Sequence, residues 1–288
     1  MKFIKIWQGF LATAIVLFIS CKKTDDLTPA ATTATTASTS DATAKQNPPT
    51  NQGGTTGTGT TTTTTTTSTT VPDVYKKIYG ASSITVDGDY IVIKTTGVPD
   101  HKSPYFKGSA WESTKYVADT RSSFKQAPGS YIAAFSYTFR IPKSPAEAST
   151  KKTLGTATIG VAVNGVPIFN QYAAGNTAIV AGQNEYVSFD LYGGHPAPTN
   201  DYHYHIEPNY ITATKGSDAL IGFLLDGFPV YGPKENGKTI SNSDLDAYHG
   251  HKTVTADYPN GIYHYHTTDA APFINGNGFF GTAGTWTK

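Results

Sequence analysis

Short stretches of alternating hydrophobic and polar residues run along much of this chain, separated by turn residues. Residues 84–93 contain two apolar stretches joined by Asp-Gly at 87–88, which predicts a β-hairpin. From 131 to 141 an apolar or aromatic residue occupies every second position, which predicts a strand with one buried face. Helical periodicity is weak, and only a short helical turn is expected near 242–248. The pattern therefore predicts a mainly β fold.

The later part of the chain contains an internal repeat. Residues 159–169 recur as 221–231, each copy being an apolar strand, an Asn-Gly or Asp-Gly turn and a strand that contains proline. Each copy continues with a Gly-His pair, five residues after an aspartate, and then with Tyr-His-Tyr-His. We therefore expect a single domain with a duplicated β-hairpin unit, 159–208 and 221–270, whose copies are related by a pseudo-twofold axis.

The N-terminus has the pattern of an export signal. A basic start is followed by an apolar run up to Ile19, which is too short to span a membrane comfortably. Cys21 resembles the lipidated first residue of a bacterial lipoprotein, with Phe18 at a position where leucine is usual. We expect a signal peptide over 1–20 and a lipid anchor on Cys21. The alternatives are an uncleaved anchor or ordinary cleavage nearby.

A Thr-rich stretch separates Cys21 from the folded part. Residues 21–70 are mostly Thr, Ala, Ser, Gly and Pro, with threonine at all positions from 60 to 67. Such a stretch has little apolar surface to bury, so it does not offset the entropy of ordering. We expect 21–70 to be a disordered tether and 71–288 to be the β domain. A tether and lipid anchor predict an outer-membrane or cell-surface location.

Composition excludes several function classes. The net charge is +1 without a basic block, which argues against nucleic acid as a partner. Cys21 is the only cysteine, so an intrachain disulfide is excluded, and its predicted lipidation argues against thiol catalysis. The sequence lacks a Gly-x-Ser-x-Gly elbow and a phosphate-binding glycine loop. The spacing of Asp and Glu along the chain does not show which carboxylates are close in space, so the sequence does not exclude a glycosidase-type carboxylate pair.

The histidines concentrate in the repeat, where seven of eight lie between 195 and 266. In a strand, the two histidines of each Tyr-His-Tyr-His segment lie on one face, and the Gly-His pair supplies a third. Neutral imidazole is a common ligand of transition metals, zinc or copper above all. Either each copy holds one ion with an open fourth position, or all the histidines meet between the copies. The candidate ligands are His195, His203, His205, His251, His264 and His266.

Other residues are weaker candidates for the metal site. Asp190 and Asp246 occupy matching positions and either fix the tautomer of a liganding histidine or cap a turn. The tyrosines of both segments should point to the opposite strand face and pack in the core. His249 aligns with Gly193, so it is less suited to a shared ligand set. His101, in a polar loop before the repeat, is a further candidate.

Three functions are compatible with this pattern. The first is a lipoprotein that binds a transition metal, for capture, storage or structure. The second is a metal-dependent hydrolase or oxidase that uses an open coordination position and a carboxylate base. The third is a surface module that binds glycans or a protein through Tyr-rich loops. A structural alternative to a metal site is that the Tyr-His alternation forms an aromatic ladder that stabilises cross-strand pairs. The repeated histidines favour the first and indicate a binding site rather than a catalyst.

The combined motifs resemble the bacterial YHYH protein family. The resemblance rests on both Tyr-His-Tyr-His segments, the Gly-His pairs, the run 221–233, Pro99-Asp100-His101 and 272–274. It extends from about 97 to 281, and one departure is His249, where asparagine is more usual. It implies an exported β domain of this extent and leaves the mechanism open.

Overall fold

Strands form most of the regular secondary structure in this computed structural model, which describes residues 69–155 and 158–288. The predicted mainly β fold is confirmed. The signal peptide predicted over 1–20, Cys21 and nearly all of the tether predicted over 21–70 lie outside the described residues. Within the described ranges, no helix has the length and apolar character needed to cross a membrane.

The elements of the described part are numbered in chain order. The strands are β1 (Ala81–Asp87), β2 (Tyr90–Thr95), β3 (Tyr137–Pro142), β4 (Thr158–Ala162), β5 (Pro167–Phe169), β6 (Tyr172–Ala173), β7 (Thr177–Ala178), β8 (Gly194–Pro196), β9 (Tyr202–Tyr204), β10 (Leu220–Leu224), β11 (Pro229–Tyr231), β12 (Lys234–Glu235), β13 (Lys238–Thr239), β14 (Gly250–Thr253), β15 (Ile262–His266) and β16 (Thr285–Thr287). The helices are α1 (Asp73–Lys76), α2 (Glu112–Lys115) and α3 (Asn209–Lys215), and short 3₁₀ segments cover Pro104–Phe106, Ala174–Asn176, Asn184–Ser188 and Asn242–Asp244. The last of these is the helical turn expected near 242–248.

The predicted hairpin and the predicted strand 131–141 both contribute to a four-stranded antiparallel sheet of order β1-β2-β3-β16. Asp87 pairs with Tyr90, so the turn consists of Gly88 and Asp89, one position later than the sequence suggested. The strand begins only at Tyr137. The backbone N–H groups before it donate to carbonyls of three separate segments, so this stretch has no single neighbouring strand to pair with.

The duplicated unit forms one continuous eight-stranded sheet, in the order β14-β15-β11-β10-β4-β5-β9-β8. The copies meet where β4 pairs with β10 in antiparallel register. In this register Val161 faces Phe223, and the two residues occupy the same position of the repeat. A twofold rotation about this pair places the flanking pair of Gly160 and Leu224 on the pair of Gly222 and Ala162. The expected pseudo-twofold axis therefore passes through the Val161–Phe223 pair.

The strand order within each copy fixes where the histidines lie. In the first copy β4 and β5 form a hairpin, β9 runs parallel to β5, and β8 pairs antiparallel with β9. In the second copy β10, β11, β15 and β14 repeat this arrangement. The Gly-His strands β8 and β14 thus form the two opposite edges of the sheet. Five strand spacings separate β9 from β15, a distance of ~24 Å across the sheet.

Candidate metal centres

Alternation along β9 and β15 separates tyrosines from histidines. Successive side chains of a strand point to opposite faces, so the tyrosines share one face and the histidines the other. All four tyrosines are buried in the core, as expected from the sequence. They are Tyr202, Tyr204, Tyr263 and Tyr265.

The second tyrosine of each segment bonds to the turn of its own hairpin. Tyr204 Oη accepts a hydrogen bond from Asn164 Nδ2 at 2.9 Å, and Tyr265 Oη donates to Asp226 Oδ2 at 2.7 Å. Asn164 and Asp226 occupy the same position of the repeat. Burial raises the pKa of Asp226 to about 6, although hydrogen bonds from Tyr265 and from backbone N–H groups favour its charged form. The second copy therefore has a buried acid where the first has a neutral amide.

This difference predicts a pH-dependent contribution to stability. The carboxyl of Asp226 has an ordinary pKa near 4 in the unfolded chain, so the native state binds more protons between pH ~4 and ~6. Its contribution to the unfolding free energy should therefore fall by about 2–3 kcal/mol as the pH rises through this interval, and stay constant above it. Asp226→Asn removes the titrating group. Urea unfolding at several pH values should show this fall in the difference between wild type and variant; a difference independent of pH would contradict the prediction.

The first candidate centre, site 1, consists of Glu185, His195, His203 and His205. One ligand atom from each residue lies within 4.8 Å of the others. His195 on β8 stands directly opposite His203 on β9, and His205 follows on the same face. Glu185 comes from the 3₁₀ segment Asn184–Ser188. The Nε2 atoms of His203 and His205 are 2.9 Å apart, and His195 Nε2 is 3.1 Å from a Glu185 carboxylate oxygen.

The second candidate centre, site 2, repeats this arrangement with Glu235, His251, His264 and His266. His251 on β14 stands opposite His264 on β15. Their Nε2 atoms are 3.2 Å apart, and the His264 Nε2 is 3.3 Å from a Glu235 oxygen. Glu235 lies at the end of the two-residue strand β12. The six histidines therefore form two separate groups of three, and the alternative in which all six meet between the copies is wrong.

Hydrogen bonds fix the tautomers in site 1. His203 Nδ1 bonds to the carbonyl of Asp201 at 2.9 Å, and His205 Nδ1 bonds to the carbonyl of Asn170 at 2.5 Å. A carbonyl only accepts, so each Nδ1 carries the hydrogen and each Nε2 is a bare lone pair. The Ser188 hydroxyl donates to the Glu185 carbonyl and so accepts from His195 Nδ1, which assigns the same tautomer.

Site 2 has the same tautomers at its two buried histidines. His264 Nδ1 bonds to the carbonyl of Ile262 at 3.0 Å, and His266 Nδ1 bonds to the carbonyl of Gly232 at 2.8 Å. Asn170 and Gly232 are equivalent positions of the repeat, and so are Asp201 and Ile262 relative to the Tyr-His-Tyr-His segments. The duplication has therefore preserved the contacts that orient the imidazole rings as well as the rings themselves.

Lone pairs that face one another at these distances repel, and a cation bound between them would remove that repulsion. Two neutral imidazoles with bare Nε2 atoms 2.9 Å apart repel each other, and so do the His264 lone pair and the Glu235 oxygen. Ligand atoms 2.0–2.1 Å from a tetrahedral metal ion are ~3.3 Å from one another. The distances of 2.9 to 3.3 Å given above for the two sites are near this value. The residues of each site are thus close enough to share one ion.

Burial disfavours protonation of the imidazoles, so a proton would not readily take the place of a metal ion. Loss of solvation lowers the pKa of His203 and His205 well below the usual value, and that of His266 to about 4. The imidazoles therefore stay neutral and available as ligands at neutral pH. The Nε2 atoms of His195 and His266 are buried without a hydrogen-bond partner among the described residues. Such atoms are rare in folded proteins unless something else binds them.

The carboxylates of the two sites are charged. Burial acts to raise the pKa of Glu185, but the nearby imidazoles of His195 and His205 favour its charged form and lower the pKa overall. Burial likewise acts against the charged form of Glu235, and the Thr253 hydroxyl with the nearby histidines lowers its pKa overall. Each site therefore combines three imidazoles with one charged carboxylate.

The comparison with known families is consistent with this arrangement. A family model described as YHYH protein matches residues 138–241 and 234–278. The chain belongs to the YHYH protein family. All eight residues of sites 1 and 2 lie within the matched ranges. The search of curated proteins and the search of solved structures each gave no match.

Sequence reasoning missed the two glutamates of this YHYH protein. Glu185 lies ten residues before His195, whereas Glu235 lies sixteen residues before His251. The two carboxylates therefore do not align in the repeat, although they take the same place in space. Their only sequence signal is their position between the hairpin and the Gly-His pair of each copy.

Asp190 and Asp246 do not orient the metal-facing histidines. Each accepts hydrogen bonds from backbone N–H groups two and four residues later, which makes it the cap of a tight turn. Each also accepts a hydrogen bond from the first tyrosine of its copy, Tyr202 or Tyr263. The suggested role in fixing a histidine tautomer is therefore wrong, because main-chain carbonyls and Ser188 have that role. The turn-capping alternative describes the contacts.

His101 and His249 lie outside both sites. His101 is buried rather than exposed in a polar loop, with Nε2 3.1 Å from Tyr204 Oη on the tyrosine side of β9. His249 Nε2 is 3.1 Å from both Asn242 Oδ1 and Thr268 Oγ1. Its backbone φ of +75° is one that asparagine adopts more readily than most residues, which explains why asparagine suits this position.

Proposed function

We propose that this protein is an exported, lipid-anchored member of the YHYH family that binds two transition-metal ions, one in each copy of the repeat. The observation that carries the proposal is the convergence of bare Nε2 lone pairs with a carboxylate, twice, in buried positions. In the alternative of an aromatic ladder, the imidazoles would bond to each other or to the backbone through both nitrogens. The Nδ1 atoms of five of the six histidines bond to the backbone or to Ser188, whereas the Nε2 atoms converge.

Zinc is the ion that this donor set favours most. Three imidazole nitrogens and one carboxylate oxygen at tetrahedral spacing are typical zinc ligands. Copper(II) also binds imidazole and carboxylate but prefers a tetragonal arrangement. Each ion would be held at one edge of the sheet, between a Gly-His strand, a Tyr-His-Tyr-His strand and a glutamate from a separate segment. Binding would join segments that are distant in sequence, which suits metal capture or a metal-stabilised domain.

Metal analysis of the purified protein tests the proposal. The full chain, produced without a histidine tag, is expected to retain about two zinc ions after desalting, as measured by mass spectrometry of the metals. Bound copper instead of zinc would support the proposal of two metal sites and would identify copper as the ion. A chain that retains neither metal, both as isolated and after refolding with zinc or copper, would refute the proposal.

The lipid anchor is proposed on Cys21, which places the domain at the outer membrane or cell surface, with the membrane as its partner. The support is the apolar run that ends at Ile19, two residues before this cysteine, and the Thr-rich stretch that follows it. Cys21→Ser should move the protein from the membrane fraction to the soluble exported fraction and abolish incorporation of labelled palmitate. Unchanged membrane association of the variant would indicate an uncleaved signal anchor instead.

A further inference from the structure

The two sites differ in what covers their imidazole rings. In site 1 the ring of Phe169 stacks on His203 with 3.8 Å between centroids, and the ring of Phe189 stacks on His205 at 5.6 Å. Phe189 also meets His195 edge-on at 4.9 Å. The His195 side chain is only 6% exposed. Apolar rings therefore enclose the imidazoles of site 1.

Site 2 is more open on the corresponding side. Tyr231, the repeat equivalent of Phe169, stands edge-on to His264 at an interplanar angle of 82° and does not cover the ring face. Among the described residues, no phenylalanine ring stacks on the histidines of site 2. The His251 side chain is 21% exposed. The Tyr231 hydroxyl points away from the histidines, toward Thr255 and Asp257.

A pocket of about 280 Å³ opens beside site 2 and carries charged side chains. Glu235, His264 and His266 form its metal side, and the remaining lining includes Lys77, Asp218, Lys234 and Asp257. The depressions that reach site 1, about 170 Å³ and 380 Å³, have Glu185 as their only charged side chain. The duplication has thus produced one site facing a charged pocket and one site facing uncharged surroundings.

The charges of this pocket favour a small anion. Lys77 pairs with Asp257, so these two charges cancel. Lys234 forms no ion pair within the described part of the chain, and Asp218 also lines the pocket. A divalent ion bound by Glu235 adds a net charge of about +1, which attracts a monoanion. The volume is below the 300–1,000 Å³ usual for drug-sized ligands, so the anion must be small.

We infer that site 2, and not site 1, binds a small monocarboxylate that bridges its metal ion and Lys234. This inference rests on the proposed function, because it needs the ion in place. Zinc coordination expands from four to five ligands in some sites, and a carboxylate oxygen would take this fifth position beside Glu235. The Lys234 ammonium, on the pocket wall, would pair with the other carboxylate oxygen. Tyr231 leaves the ring of His264 unstacked, whereas Phe169 stacks on His203 in the first copy.

The test uses cobalt(II), whose visible absorption changes when a ligand is added to its coordination shell. The full chain is loaded with cobalt in carboxylate-free buffer and titrated with acetate, after the cobalt content has been measured. Wild type should show a saturable change, as should His203→Ala, in which site 1 is removed. In His264→Ala, which retains only site 1, acetate should bind at least about tenfold more weakly. Lys234→Ala should raise the acetate Kd about threefold at unchanged cobalt content, and Lys234→Arg should restore it.

The outcomes separate this inference from the proposed function. Cobalt bound at site 2 with no spectral response to acetate would overturn the inference alone, and so would equal acetate affinity at both sites. Absence of bound cobalt from the wild-type chain would overturn the proposed function together with the inference. Because Lys234 is exposed, its variants test the inference even if a histidine variant fails to fold.

Discussion

Replacing His203 and His264 together by alanine is expected to reduce the tightly bound metal from about two ions per chain to about none. Each residue contributes a buried Nε2 at the centre of its site, 2.9 Å or 3.2 Å from the Nε2 of a neighbouring histidine. Each single variant should lose one ion and keep the other, because the two sites lie at opposite edges of the sheet. Metal analysis after desalting measures the loss, and circular dichroism checks that the β fold is retained.

His249→Asn is the matched control for these variants. His249 is a buried histidine of the same domain, but its Nε2 contacts Asn242 and Thr268, and it belongs to neither ligand group. Asparagine also tolerates its positive φ. This variant should therefore keep about two ions. Metal retained by the double alanine variant, or lost from the control, would show that the ligands lie elsewhere.

Removal of the metal is expected to lower the stability of the domain strongly. An ion that binds the native state alone stabilises it by about 4 kcal/mol per site when its free concentration is a thousand times the Kd. Without the ions, buried lone pairs that repel one another remain in both sites. The urea midpoint of unfolding should therefore fall markedly when a chelator replaces zinc in the buffer.

The double variant provides the reference for this measurement. With His203 and His264 replaced by alanine, the midpoint of unfolding should be the same with zinc and with chelator. If wild type also shows no difference between the two conditions, the ions do not stabilise the fold. Metal binding would then have to be weak or restricted to a surface, in conflict with the burial of the histidines.

Several features of the fold followed from local patterns. The hairpin at 84–93 and the buried positions of Tyr137, Phe139 and Ile141 depend on turn residues and on the two-residue period of a strand, so neighbouring residues suffice to predict them. The stretch 131–136 could not be assigned in this way. It has the same alternation but no neighbouring strand, and its N–H groups bond to three separate segments instead.

The sequence by itself determined the mainly β class, the duplication, the family resemblance and the six candidate histidines. These features can be predicted because strand alternation and an internal repeat depend only on the order of residues along the chain. Only the tertiary structure decided that the histidines form two sites rather than one. It also added Glu185 and Glu235, which reach equivalent places from different distances along the chain. It assigned Asp190 and Asp246 to turns. The grouping of the histidines and the positions of these carboxylates depend on which strands are neighbours in the sheet and on where the loops contact it. Neither the spacing of residues along the chain nor the composition predicts these contacts.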